Sequence, residues 1–251
     1  MNMPQPKHNV LFEQIAAVLA AGKKPDALTT ARLSRACDEL LKTHPEQAYV
    51  AHMLVAAASG KRQDVIAFGK KAWPLIDSSD SPVTLMHNFL CALQLQSIVN
   101  EWSISKCIDK MLAWSTEEDD KMSAAEMAFS FGLPDTAQSI LKGLEQNTRL
   151  LYLPEFIQTW VAAKCSFKAD ERELSRLQGI AGAVFCQILK RPIQGIRYEI
   201  DMECGFIFSV FYAPNDVESD DLIDACWEIE RVLENEPSQL LNRVIFTIRH
   251  Y

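Results

Sequence analysis

Glycine is scarce in this chain, nine residues in 251 and never two together. No Gly-rich loop is present to cradle a phosphate, and no G-x-S-x-G elbow to raise a nucleophilic serine. None of the seven cysteines sits in a C-x-x-C pair, and the five histidines are scattered without an H-x3-H pair. A zinc site is therefore not expected, and no metal or other cofactor is called for. Most cysteines lie inside apolar stretches such as "NFLCALQL", where a reduced thiol packs as a small hydrophobe and suits a reducing, cytoplasmic compartment. Basic excess is lacking as well: 33 acids against 25 bases give a net charge of −8. That opposes a surface built throughout for nucleic acid. The longest uncharged stretch, 81–100, holds His87, Asn88, Gln94 and Gln96, so no membrane span is expected. "VLFEQIAAVLAAG" carries Glu13 and Gln14 where a signal peptide would be apolar, so no targeting segment is read there.

What the chain does have is core-forming material, 48% hydrophobic, laid out in helical periods. Val10, Leu11, Ile15, Val18 and Leu19 recur at helical spacing, and after "GKKPD" so do Leu33, Cys37, Leu40 and Leu41, up to Pro45. "AAASGKRQDVIAFGKKAWPLI" is the turn and second arm of a helical hairpin, with Gly60 at the break and alanines that let two backbones approach. Two more hairpins follow, one from Val83 to Trp114 and one around Gly132. Gly60 and Gly132 lie 72 residues apart, two periods of 36, while Pro45 and Pro82 are 37 apart. Helix-turn-helix units at such a period predict an α-solenoid.

Ala125, Gly132, Ala137 and Leu141 in one unit, Gly60 and Ala72 in another, and "ELLKTHPE" at a unit end resemble the tetratricopeptide-repeat family over about residues 10–147. There are departures. No unit carries the Trp and Tyr of the family's first helix, the third unit lacks the turn Gly, and Gly69 stands where a large residue is usual. The resemblance implies a non-enzymatic scaffold of the adaptor, chaperone-like or immunity kind, whose groove, lined by the first helix of each unit, captures a segment of another protein. Tyr49, His52, Met53, His87 and Asn88 are the groove candidates.

The pattern changes near residue 150, which divides the chain into a solenoid over 1–150 and a small α+β domain over 151–251. A short helix is expected after Pro154. "DERELSRLQGIAGAVFCQILK" predicts a longer one, whose Gly179 and Gly182 suit close packing on a sheet. "IRYEIDM" and "FIFSVFY" read as a hairpin, a helix starts at Ser219, and "RVIFTIRHY" is a third strand. The fold class is thus mostly α, ending helix-strand-strand-helix-strand.

If Tyr198, Phe208 and Phe246 face the helices, the open sheet face carries Ile207, Phe211 and Ile245. It is then either the interface of a homodimer or covered within the chain. Glu199 and Asp201 share a strand face that ordinary solvation explains. Lys23, Lys24, Lys61 and Arg62 fall at inter-helix turns as a basic rim, which serves solubility or steers an acidic partner. Two alternatives to the scaffold stay open: an enzyme with a site between solenoid and sheet, and a nucleic-acid binder using that rim.

Overall fold

The computed structural model describes residues 7–142, 144, 160, 164, 170–201, 203–204 and 206–250. The boundary expected near residue 150 and the short helix after Pro154 lie outside the described residues.

Four helical hairpins follow one another: α1 (Lys7–Ala20) with α2 (Ala27–Leu40), α3 (Pro45–Ala58) with α4 (Arg62–Ala72), α5 (Pro82–Leu95) with α6 (Ile104–Trp114), and α7 (Glu118–Ser130) with α8 (Pro134–Leu141). Local chemistry sets their ends. Pro45, Pro82 and Pro134 each occupy the first turn of a helix, where a missing N–H costs nothing and φ is already helical. Asp26 caps α2 by accepting from the Thr29 N–H at 2.6 Å. Each first helix packs on the next, α1 on α3, α3 on α5 and α5 on α7, which is the order of contacts in a helical repeat.

Three of the turns are built alike. Gly60, Ser97 and Gly132, 37 and 35 residues apart, all take left-handed φ, of +72°, +49° and +76°. Each closes the same pair of hydrogen bonds: Lys61 N to Ala56 O with Gly60 N to Ala57 O, Ile98 N to Leu93 O with Ser97 N to Gln94 O, and Leu133 N to Ala128 O with Gly132 N to Phe129 O. This is the Schellman arrangement, which satisfies the last carbonyls of a helix. The period therefore runs through the third unit too, with a serine in the conformation that glycine takes in its neighbours.

Helix α9 (Glu171–Leu189) crosses all three turns. Ser175 lies against Gly132, whose added Cβ would stand 3.0 Å from the Ser175 Cα, and the Lys190 carbonyl lies against Gly60, whose Cβ would stand 2.8 Å away. At the middle turn the roles reverse. Ser97 and Val99 press on Gly182 and Gly179, where a Cβ would overlap them. These two glycines thus meet the turns of the array, not the sheet as their spacing suggests. Hydrogen bonds fasten the crossing: Gln178 Nε2 donates to Ser130 O at 2.7 Å and Ile193 N to Leu95 O at 2.9 Å, while within the array the Arg62 guanidinium donates to Gln96 O beside the middle turn. Near its start, Glu171 accepts from the Asp135 and Thr136 N–H groups at 2.7 and 3.0 Å, at the opening of α8.

The other side of α9 faces the sheet, formed by β1 (Gly195–Asp201), β2 (Phe206–Ala213) and β3 (Val244–His250) in the order β1-β2-β3. The first pair is antiparallel and the second parallel, joined by α10 (Ser219–Leu233). Leu174, Leu177 and Phe185 of α9 and Leu222 and Ile229 of α10 bury one face of the sheet. Tyr198 pairs with Ser209, and Ser209 with Phe246. The register is one residue away from the expected alignment of Tyr198 with Phe208. Ile207 and Phe211 consequently face the helices with no exposed surface, while Ile245 points to the opposite side. β2 is apolar at every position but Ser209, so its alternation carries no phase.

Two results should follow from the crossing. Gly22 also has left-handed φ, but its Cβ would meet nothing closer than 3.8 Å. Gly22→Ala should therefore cost about 1 kcal/mol of backbone strain alone, and Gly60→Ala clearly more, by urea unfolding. Equal costs would mean that the Lys190 carbonyl yields freely. Gly179→Ala should cost about 1–3 kcal/mol by overpacking, and Val99→Ala in the same chain should return part of it. Simple additivity of the two would show that they do not meet.

Candidate binding groove

α3 is apolar nearly all round. Ten of its fourteen residues are buried, and it contacts α1, α2, α4 and α5. A helix buried on every side forms a floor, not a free surface. On one side of it, α1 and α5 stand as walls of a cavity of about 640 Å3. Phe12, Ala16 and Leu19 project from α1 at helical spacing; Leu54 rises from α3 and Leu85 from α5. The edge is polar, with Glu13, Thr84 and Asn88. Gln47 also lines the cavity, and its Oε1 is buried without a hydrogen-bond partner among the described residues. Such an acceptor favours an occupant that brings an N–H.

Of the groove candidates read from sequence, only Asn88 lines this cavity. His87 is its neighbour in sequence, half-buried, with Nδ1 buried and without a partner among the described residues. Tyr49, His52 and Met53 turn towards other helices. The Lys71 ammonium sits 5.6 Å from the Tyr49 ring, and His52 stacks on Phe68 at 4.5 Å with its Nε2 3.1 Å from Asp38. Met53 has no exposed surface. The reason is the uniform apolarity of α3, which hides which of its sides is accessible. Phe12 and Leu54, which line the cavity, are not among those candidates. A signal did exist in α1, where Phe12 and Leu19 form a second apolar stripe beside the core stripe of Leu11 and Ile15.

Cys91 lines the groove, but burial pushes its thiol up to about 11, so it stays protonated and poorly nucleophilic near neutral pH. Burial also raises Glu126, on the neighbouring α7. Among the described residues, no three or more His, Cys, Asp or Glu side chains are grouped to hold a metal ion, and no helix is long and apolar enough to cross a membrane.

Other candidate residues are engaged locally. Glu199 holds Arg249 through both carboxylate oxygens at 3.0 and 3.2 Å, and Asp201 accepts from the Glu203 and Cys204 N–H groups at 3.0 Å, closing the strand turn. Lys23, Lys24 and Lys61 are exposed, but Arg62 turns inward to the Gln96 carbonyl, which breaks the basic rim. Ile207 and Phe211 are core residues, so the expected interface with Ile245 is divided between the two faces of the sheet.

The chain matches no family model, no curated protein and no solved structure.

Burial lowers the pKa of His87 from its ordinary 6.5, because the charged ring would lose its hydration. Unfolded His87 takes up a proton as pH falls through about 6.5, whereas the folded side chain resists it. This contribution to stability is therefore present at neutral pH and is lost on acidification. His87→Gln should flatten the fall in unfolding free energy between about pH 7 and pH 5. An unchanged slope would show that His87 is protonated as readily in the fold as outside it.

Proposed function

We propose that this chain is a divergent tetratricopeptide-like interaction module of the cytoplasm. On this reading it captures an amphipathic helix of another protein, whose apolar stripe lies along α3 between α1 and α5. The observation that carries the reading is the groove itself: an apolar floor and walls, a polar edge, and one buried acceptor. The repeated turns at 60, 97 and 132 support the family likeness, since each reproduces the same hairpin geometry. The buried thiols of Cys37, Cys107 and Cys186 agree with a reducing compartment. No specific observation favours the enzyme or nucleic-acid readings.

Two adjacent exposed alanines make the test clean, because Ala16 lines the groove and Ala17 does not. Partners purified with the tagged protein from its native cells should be retained by Ala17→Trp and lost by Ala16→Trp. An affinity loss of roughly tenfold or more is expected, because the indole takes the space of the occupant's side chains. Equal retention by the two variants would place partner capture elsewhere and defeat the groove reading.

A further inference from the structure

The edge of the sheet at β3 leaves two kinds of unsatisfied surface side by side. Ile207 N donates to Arg243 O at 2.7 Å, and Ile207 pairs with Val244 in a parallel register. The alternation of a parallel ladder then directs the backbone groups of Ile245, Thr247 and Arg249 to β2, and those of Val244, Phe246 and Ile248 away from it. β3 is the last strand of the sheet among the described residues, and no other described backbone group bonds this outward row. The Ile248 N–H lies near the Cys226 thiol, a weak acceptor. An edge of this kind is a template for another strand.

Above that edge, α10 exposes Trp227 at 67% and Ile223 at 53%, one helical turn apart. With Leu222, Cys226 and Ile248 they border a cavity of about 230 Å3, room for one large apolar side chain. Asp220 and Asp224 lie towards the start of α10, on either side of Ile223, and Glu230 and Glu234, the latter capping the helix, lie beyond Trp227. All four are exposed. Arg231, the one base on α10, is held by Glu228 at 2.7 Å.

We propose that this edge binds an extended, basic peptide segment of another protein as a fourth strand beside β3. One apolar side chain of the peptide enters the cavity under Trp227, and lysine or arginine two residues to either side reaches the acidic pairs. The spacing agrees: the midpoints of the two acidic pairs are ten residues apart on the helix, about 15 Å, and four residues of strand span about 13 Å. A second copy of this chain suits the site poorly, because it would bring two such acidic helix faces together. The surface is separate from the α1–α3–α5 groove, and neither reading depends on the other.

The test uses the whole chain and a fluorescein-labelled peptide, Thr-Thr-Lys-Thr-Leu-Thr-Lys-Thr-Thr, with a control carrying Glu in place of both Lys. Anisotropy should show saturable binding of the Lys peptide and at least roughly tenfold weaker binding of the Glu peptide. Trp227→Ser, a change on the surface, should weaken the Lys peptide by a similar factor, and hydrogen exchange at the Phe246 amide should slow on binding. No saturation, equal affinity for the two peptides, or an Phe246 amide that exchanges unchanged with peptide bound would each overturn the proposal. So would a dimeric mass in light scattering that Trp227→Ser returns to monomer, since a second copy would then hold the edge.

Discussion

The passage of α9 across the turns of the helical array is the contact on which the rest depends. Backbones can approach that closely only if one partner lacks a side chain at each crossing. The chain meets this condition from alternate sides: glycine in the turns at 60 and 132, and glycine in α9 at 179 and 182 where the turn carries Ser97 and Val99. A turn that ends a helix also leaves carbonyls to satisfy, and α9 and the residues after it help to satisfy them through Gln178 and Ile193. The same contacts therefore close the helix ends and join the array to the sheet. Phe129, packed against both hydrophobic cores and edge-on to Tyr198, continues that junction beyond the turns.

Once the turns are covered, the surfaces left to the molecule are limited. The buried face of the sheet is spent on α9 and α10, and the turn edge of the array on α9. α3 contributes nearly all its sides to the core, so the accessible cleft beside it depends on the helices that flank it, α1 and α5. The groove is then a consequence of the repeat. Successive first helices pack on one another, and α3 becomes the floor between α1 and α5.

Much of this was legible in the sequence, where local chemistry decides. Prolines at helix starts and glycines after helix ends mark the hairpins, because a missing N–H and a left-handed φ are tolerated in few other places. The alternation of "IRYEIDM" marks β1 for a similar reason. Legibility failed wherever composition was uniform. α3 and β2 are apolar on all sides, so neither helical phase nor strand register could be read. Tyr49, His52 and Met53, groove candidates by sequence, face other helices, and Ile207 and Phe211, expected on the open face, face α9 and α10. Ser97 hid the third turn because its left-handed φ has no signature in a residue type that rarely takes it. Contacts between distant segments, such as Gly179 with Val99, leave no local trace at all.

The two unfilled surfaces differ in what they lack, and that difference sorts their occupants. The groove lacks apolar cover and has one unpartnered acceptor at Gln47, so its occupant needs hydrophobic side chains more than backbone groups. A helix, with its own backbone bonds closed internally, suits such a slot. The β3 edge lacks backbone partners and is overlooked by acids, so only a segment with open N–H and C=O groups and positive side chains satisfies it. An extended chain in the groove would bury backbone groups against Phe12 and Leu54, with the polar groups other than Gln47 confined to the edge. A helix at the edge would leave the outward groups of Val244 and Phe246 unpaired. On the two proposals, the surfaces would therefore take different forms of segment, a helix and a strand, and the two would not compete.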